Sequence, residues 1–287
     1  MTPPTSTPAG PPTRTPRPGA TGTTAPLPTP RPHLGHAVAS EWTKLISVRS
    51  TLWTIGSLVV TVVGIGLGVI VQTSDVNYER MPFTGPALFG LLAGQLAVIV
   101  LGVLTITSEY GTGLIRTTFG AAPDRHRVLT AKYLVFGAVA FLTVAGSIFL
   151  VGITTAIVHG GPAAGAHSNS DWGSALLASS YVTLLGVLSL AVGALVRHSA
   201  GAIAVMLGIV TLPPVIGGML SIWEASQPLG RAVLEYNAPV ALMELFGMPS
   251  NSGMGDLPSK MAQLGLLVLL TGAAVAGSYV VVGRRDV

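Results

Sequence analysis

Apolar and polar positions divide this chain into six long hydrophobic runs joined by short polar segments. The runs are residues 52–71, 86–107, 133–158, 175–196, 200–222 and 261–283. Each is about 20 residues or longer, which at 1.5 Å per residue matches the roughly 30 Å of a bilayer's hydrocarbon core. No run carries a charge in its middle, and none alternates apolar and polar residues with period two, so the pattern predicts helices rather than a barrel. Runs four and five are separated only by residues 197–199, which predicts a tight helical hairpin. Residues 33–50 show a different period. Leu34, Val38, Trp42 and Leu45 fall on one helical stripe, with Glu41, Lys44, Ser47 and Arg49 between them. That spacing predicts an amphipathic helix in the membrane interface, with Trp42 at headgroup depth and Lys44 and Arg49 reaching anionic lipid. Residues 228–246 predict two short amphipathic or re-entrant helices, broken at Asn237 and Pro239, that form a lid on the outer side.

Composition sharpens this picture. Of 287 residues, 49% are hydrophobic and only 9% are charged, against roughly 25% charged in a soluble domain. Lipid is therefore the solvent for most of the chain. The net charge of +4 does not indicate nucleic acid, because the basic residues lie in connections and form no basic face. Cysteine is absent, which excludes disulfides and thiolate metal sites. Residues 1–32 hold eleven of the twenty-one prolines and many threonines, with no apolar signal-like stretch. Such a composition predicts a disordered Pro/Thr-rich tail.

Lysine and arginine set the expected orientation. Twelve of the fifteen lie in the tail, in residues 33–50, in the segments after runs two and four, and at the C-terminus. Only Arg80, Arg231 and Lys260 lie in the opposite connections. This bias predicts a multi-pass protein of the cytoplasmic membrane with both termini in the cytoplasm.

Candidate chemistry is sparse. There is no phosphate-binding loop, no zinc-protease motif, no nucleophile elbow and no pair of carboxylates within one run. The six histidines are scattered over loops and ends. Gly64 and Gly68 form a GxxxG face that predicts close helix packing. Pro213 and Pro214 remove backbone donors from run five and predict a kink, static or used as a gating hinge. Coupling-ion transporters keep ionisable groups inside the bundle. None lies mid-run here, so any transport must draw its energy from another chain.

The most basic interruption between apolar runs is residues 108–132, SEYGTGLIRTTFGAAPDRHRVLTAK. Glu109 sits where run two ends, placed to pair with Arg116 or to cap the next helix. Gly111 and Gly113 permit a sharp turn. Leu114, Ile115, Thr118 and Phe119 give a short apolar face, and Asp124 is placed to cap run three. Arg125, Arg127 and Lys132 lie at the base of that run. The shape is a short helix on the membrane surface with an apolar knob flanked by charge, suited to docking a partner.

SEWTKLISVRSTLWT at 40–54, the segment at 108–132 and six spans with a long connection before the last resemble the permease subunits of ABC-2-type transporters. The resemblance covers roughly residues 36–287. It implies an all-α membrane protein of six transmembrane helices, with an amphipathic elbow helix at residues 33–50 ahead of the membrane domain at 51–287. It implies a coupling helix at about residues 111–122, seated in a groove of a separate ATPase subunit. Glu109, Tyr110, Gly113, Arg116 and Phe119 match contact or positioning sites, and Arg125 and Lys132 match the basic end of the motif. It further implies a dimer with a second copy or a paralogue. ATP and magnesium belong to the partner ATPase, so this chain is not itself an enzyme. In the cycle so implied, ATPase closure pushes the coupling helix, and spans one, two and five repack to open an outward path. A second class of function stays open: a non-transporting membrane protein such as a scaffold or immunity factor.

Overall fold

The structure, a computed structural model, describes residues 33–73, 82–114, 125–159, 169–248 and 260–284. These residues form α-helices and no strands: α1 (Leu34–Ser47), α2 (Arg49–Gln72), α3 (Gly85–Thr112), α4 (Arg125–His159), α5 (Asn169–Val196), α6 (Ser199–Leu220), α7 (Gln227–Glu235), α8 (Ala238–Leu245) and α9 (Lys260–Arg284). Six of them, α2 to α6 and α9, are long and apolar enough to cross a membrane. The described residues are those of a helical, multi-pass membrane protein. The six apolar runs read from the sequence coincide with these helices, and α3, α4 and α5 extend beyond their runs by a turn or more.

The bundle is built around α3 and α5. In their most apolar windows 61% and 67% of residues are buried, against 22% for α2, 17% for α6 and 22% for α9. The inner pair packs on each other and carries the outer helices. Leu91, Val98 and Ile99 of α3 meet Val182 and Leu190 of α5, Phe136 and Val144 of α4 and Leu58 and Val62 of α2 in one continuous core. Glycine makes the tightest approaches possible. A methyl group on Gly90 of α3 would strike the backbone of Val62, and one on Gly102 would strike the carbonyl of Gly186 on α5. Lipid supplies no hydrophobic drive between helices, so such close backbone contact is what holds a membrane bundle.

Within the chain, α2 does not pack through its GxxxG face. Gly64 and Gly68 have open space where a side chain would go. Gly66, on the opposite face, packs against Val151 of α4 instead. Of the residues between the two predicted glycines, only Gly66 turns inward, because α2 leans its Leu58–Val62–Gly66–Ile70 stripe on α3 and α4.

Hydroxyl groups pin α9 to α4. The Tyr133 and Ser278 hydroxyls are 2.9 Å apart, and those of Thr130 and Tyr279 are 2.7 Å apart. Two short helices fill residues 228–246 as the pattern predicts. Gly230 of α7 approaches Gly217 of α6 closely, so α7 folds back on the helix that precedes it. Asn237 is buried and starts α8: its Oδ1 accepts from Val240 N at 3.0 Å, and its Nδ2 donates to Leu234 O at 2.6 Å. α6 remains helical through Pro213 and Pro214, which leave the carbonyls one turn earlier without their usual donors.

Candidate functional site: a buried charge cluster at the root of the charged segment

Glu41, Lys44, Glu109 and Lys132 converge where α1, α3 and α4 meet. Each owes its place to a local feature. Glu109 rides the last full turn of α3, which ends at Gly113 in the left-handed conformation (φ 73°). Gly111 stays helical, so one glycine rather than two makes the turn. Lys132 is two turns into α4, on the face that also buries Val128, Leu129 and Val135. Glu41 and Lys44 are three residues apart on α1, hence neighbours on one helix face.

The geometry is a closed ring. Lys132 Nζ donates to Glu41 Oε2 at 2.5 Å and to Glu109 Oε1 at 2.8 Å. Lys44 Nζ donates to Glu41 Oε1 at 2.7 Å and to Glu109 Oε1 at 3.2 Å. Side-chain exposure is 4% for Lys132, 6% for Glu41 and 9% for Glu109, while Lys44 keeps 38%. Two carboxylates and two ammoniums leave the ring neutral, and that is the condition for keeping charges out of water. For Glu41, burial alone would push the carboxyl up; Lys132 and Lys44 outweigh it and hold the group below its ordinary value. For Lys44, burial pushes down, and the bonds to Glu41 and the charge of Glu109 outweigh it, so its ammonium is held above the usual lysine range. A cavity of about 290 Å³ adjoins the ring, lined by Lys44, Val48, Thr51, Leu104 and Ser108 among others.

This arrangement corrects one sequence expectation and gives Glu109 partners that the sequence did not suggest. Lys44 does not reach outward to lipid; it turns in to the two carboxylates. Glu109 finds Lys132 and Lys44, while Arg116, the partner suggested by the sequence, lies outside the described residues. So do Ile115, Phe119 and Asp124, and with them most of the predicted docking helix. Leu114 is exposed just after the turn. Arg125 opens α4. Tyr110 sits beside the ring, with the Arg197 guanidinium 5.2 Å over its ring centre. Arg197 itself turns the α5–α6 hairpin with a left-handed backbone (φ 58°), and His198 Nδ1 accepts from Gly201 N at 3.1 Å to start α6. Trp42 and Arg49 are exposed. Pro213 and Pro214 are half-buried in α6, far along the chain from the ring.

Reasoning from sequence missed the ring because its members stand in three separate elements. Lys132 gave the one available signal: seven residues past Arg125, it shares a helical face with buried apolar neighbours. Compared with protein-family models and with curated proteins, the chain matches none.

Proposed function

We propose that this chain is the membrane-spanning permease subunit of an ATP-driven exporter of the ABC-2 type. The observation that carries the reading is the construction at residues 108–132. Two membrane-spanning helices are joined by a short segment whose sequence carries the apolar residues Leu114, Ile115 and Phe119, and the helix ends on either side of it are tied by one buried ion pair, Glu109–Lys132. A buried, charge-matched pair holds the two helix ends at a fixed separation, which suits a segment that receives force. The motifs at 40–54 and 108–132 and their places in a six-span order fit the same reading.

In this reading the segment docks on a separate ATPase subunit that binds ATP and magnesium and performs hydrolysis. Both termini and residues 108–132 face the cytoplasm, as the lysine and arginine bias requires. α1 serves as the elbow helix. The open Gly64–Gly68 face of α2 is available to a second permease copy or a paralogue. Force entering at the segment reaches α3 and α4 through their clamped roots, and the double proline in α6 gives the bundle a place to bend.

Co-expression with an ATPase subunit of this class tests the proposal. The expected result is a detergent-stable complex that the triple variant L114D/I115D/F119D abolishes without impairing membrane insertion. An ATPase that still binds the triple variant contradicts the docking assignment. A fully inserted chain that recruits no ATPase favours the scaffold or immunity class.

A further inference from the structure

The four charges are arranged as two pairs, and each pair is complete on its own side of one interface. Glu41 and Lys44 belong to α1 and lie 2.7 Å apart. Glu109 and Lys132 belong to α3 and α4 and lie 2.8 Å apart. When α1 is docked the pairs also bond across, Glu41 to Lys132 at 2.5 Å and Lys44 to Glu109 at 3.2 Å. Withdrawing α1 breaks only the crosswise bonds. Neither side is left with an unmatched charge, so the severe cost of stranding a buried ion does not arise.

Three further features favour movement of α1 as a unit. Apart from Glu41, Leu45 is the only α1 side chain buried, so little apolar surface holds the helix down. The cavity of about 290 Å³ lies beneath α1, between it and the ends of α2 and α3. The joint to α2 is the single residue Val48, in extended conformation between two helices. We infer that α1 is a reversible latch: it docks on α3 and α4 through a self-neutral charge ring and swings free about Val48 without uncovering an unpaired charge. The inference stands on this geometry and not on the exporter reading.

Because the chain has no cysteine, a single introduced thiol reports alone. Leu45→Cys places it on the buried face of α1, and Trp42→Cys on the exposed face gives the limiting rate. Labelling by a water-soluble maleimide is followed on the full chain in lipid nanodiscs, where both faces are reachable. The latch predicts that L45C labels measurably, yet at least tenfold more slowly than W42C. Adding E41K/K44E keeps α1 neutral but sets like charges face to face, and should speed L45C labelling at least tenfold. The further changes E109K/K132E restore every pairing with signs reversed, and should return the slow rate. Labelling of L45C at the W42C rate in the parent chain overturns the latch, as does complete protection. A quadruple variant that stays fast, or cannot be recovered as folded protein, overturns it as well.

Discussion

Lys132 and Glu41 are 91 residues apart in sequence and 2.5 Å apart in space. This contact turns α1 from a helix lying on the surface into a part of the bundle. It also makes Lys132, shared between two carboxylates, the centre of the ring.

Removing Lys132 alone should therefore be severe. K132M leaves Glu41 and Glu109 facing each other with only the half-exposed Lys44 between them. Stranding a buried charge costs about 3–5 kcal/mol. Denaturant or thermal unfolding in detergent should show a loss of that size for K132M, and a clearly smaller one for K132M/E109Q, which removes a matched pair.

The ring also predicts a pH window. The Glu41 carboxyl is held below its ordinary value by Lys132 and Lys44. Its contribution is then fully present above the ordinary value of 4.5 and is lost as pH falls through the lower, folded value. Lys44 is held above its ordinary 10.5, so its contribution is present below that pH and lost as pH rises through the higher folded value. The difference in thermal midpoint between the parent chain and E41Q should be constant from about pH 6 to pH 9 and shrink in acid below 4.5. A difference that grows in acid contradicts the assignment.

Glycine substitutions should separate the packed from the open faces. Gly90→Ala and Gly102→Ala drive a methyl group into a neighbouring helix backbone and should cost about 1–3 kcal/mol or more. Gly64→Ala meets nothing within 4 Å and should leave the stability of the isolated chain unchanged or slightly raised. Unfolding midpoints of the three variants check both halves.

The link between α4 and α9 is open to a simple test. Ser278→Ala removes the hydroxyl that meets Tyr133 at 2.9 Å and should cost about 0.5–1.5 kcal/mol. Ser180→Ala removes a hydroxyl bonded only within its own helix and should cost less under the same conditions.

Much of the fold was legible because hydrocarbon imposes a length and a composition on every span. The six runs, the α5–α6 hairpin and the two short helices followed from that constraint and from Asn and Pro as helix boundaries. The ring was not legible for a physical reason. Charges beside the membrane surface are ordinarily read as solvated or snorkelling; Glu109 lies near the end of α3, Lys132 two turns into α4, and Glu41 in the middle of the short α1. Only the approach of three helices makes them partners. The use of Gly66 within the chain was hidden for a similar reason. A GxxxG spacing marks a face that permits close packing, but which face is used depends on how α2 leans. The knob residues Ile115 and Phe119 fall outside the described residues, so the docking segment itself rests on its sequence and its clamped roots.

The most direct measurement of the central claim is a photo-crosslink from that segment. A photoreactive residue placed at Phe119 in the full chain, expressed in cells with an ATPase subunit of the ABC class, should join the two chains on illumination. The same residue at Trp223, predicted to lie on the opposite side of the membrane, should not. Crosslinks from Trp223 but not from Phe119, or from neither, would contradict the assignment of residues 108–132 as the place where an ATPase engages this protein.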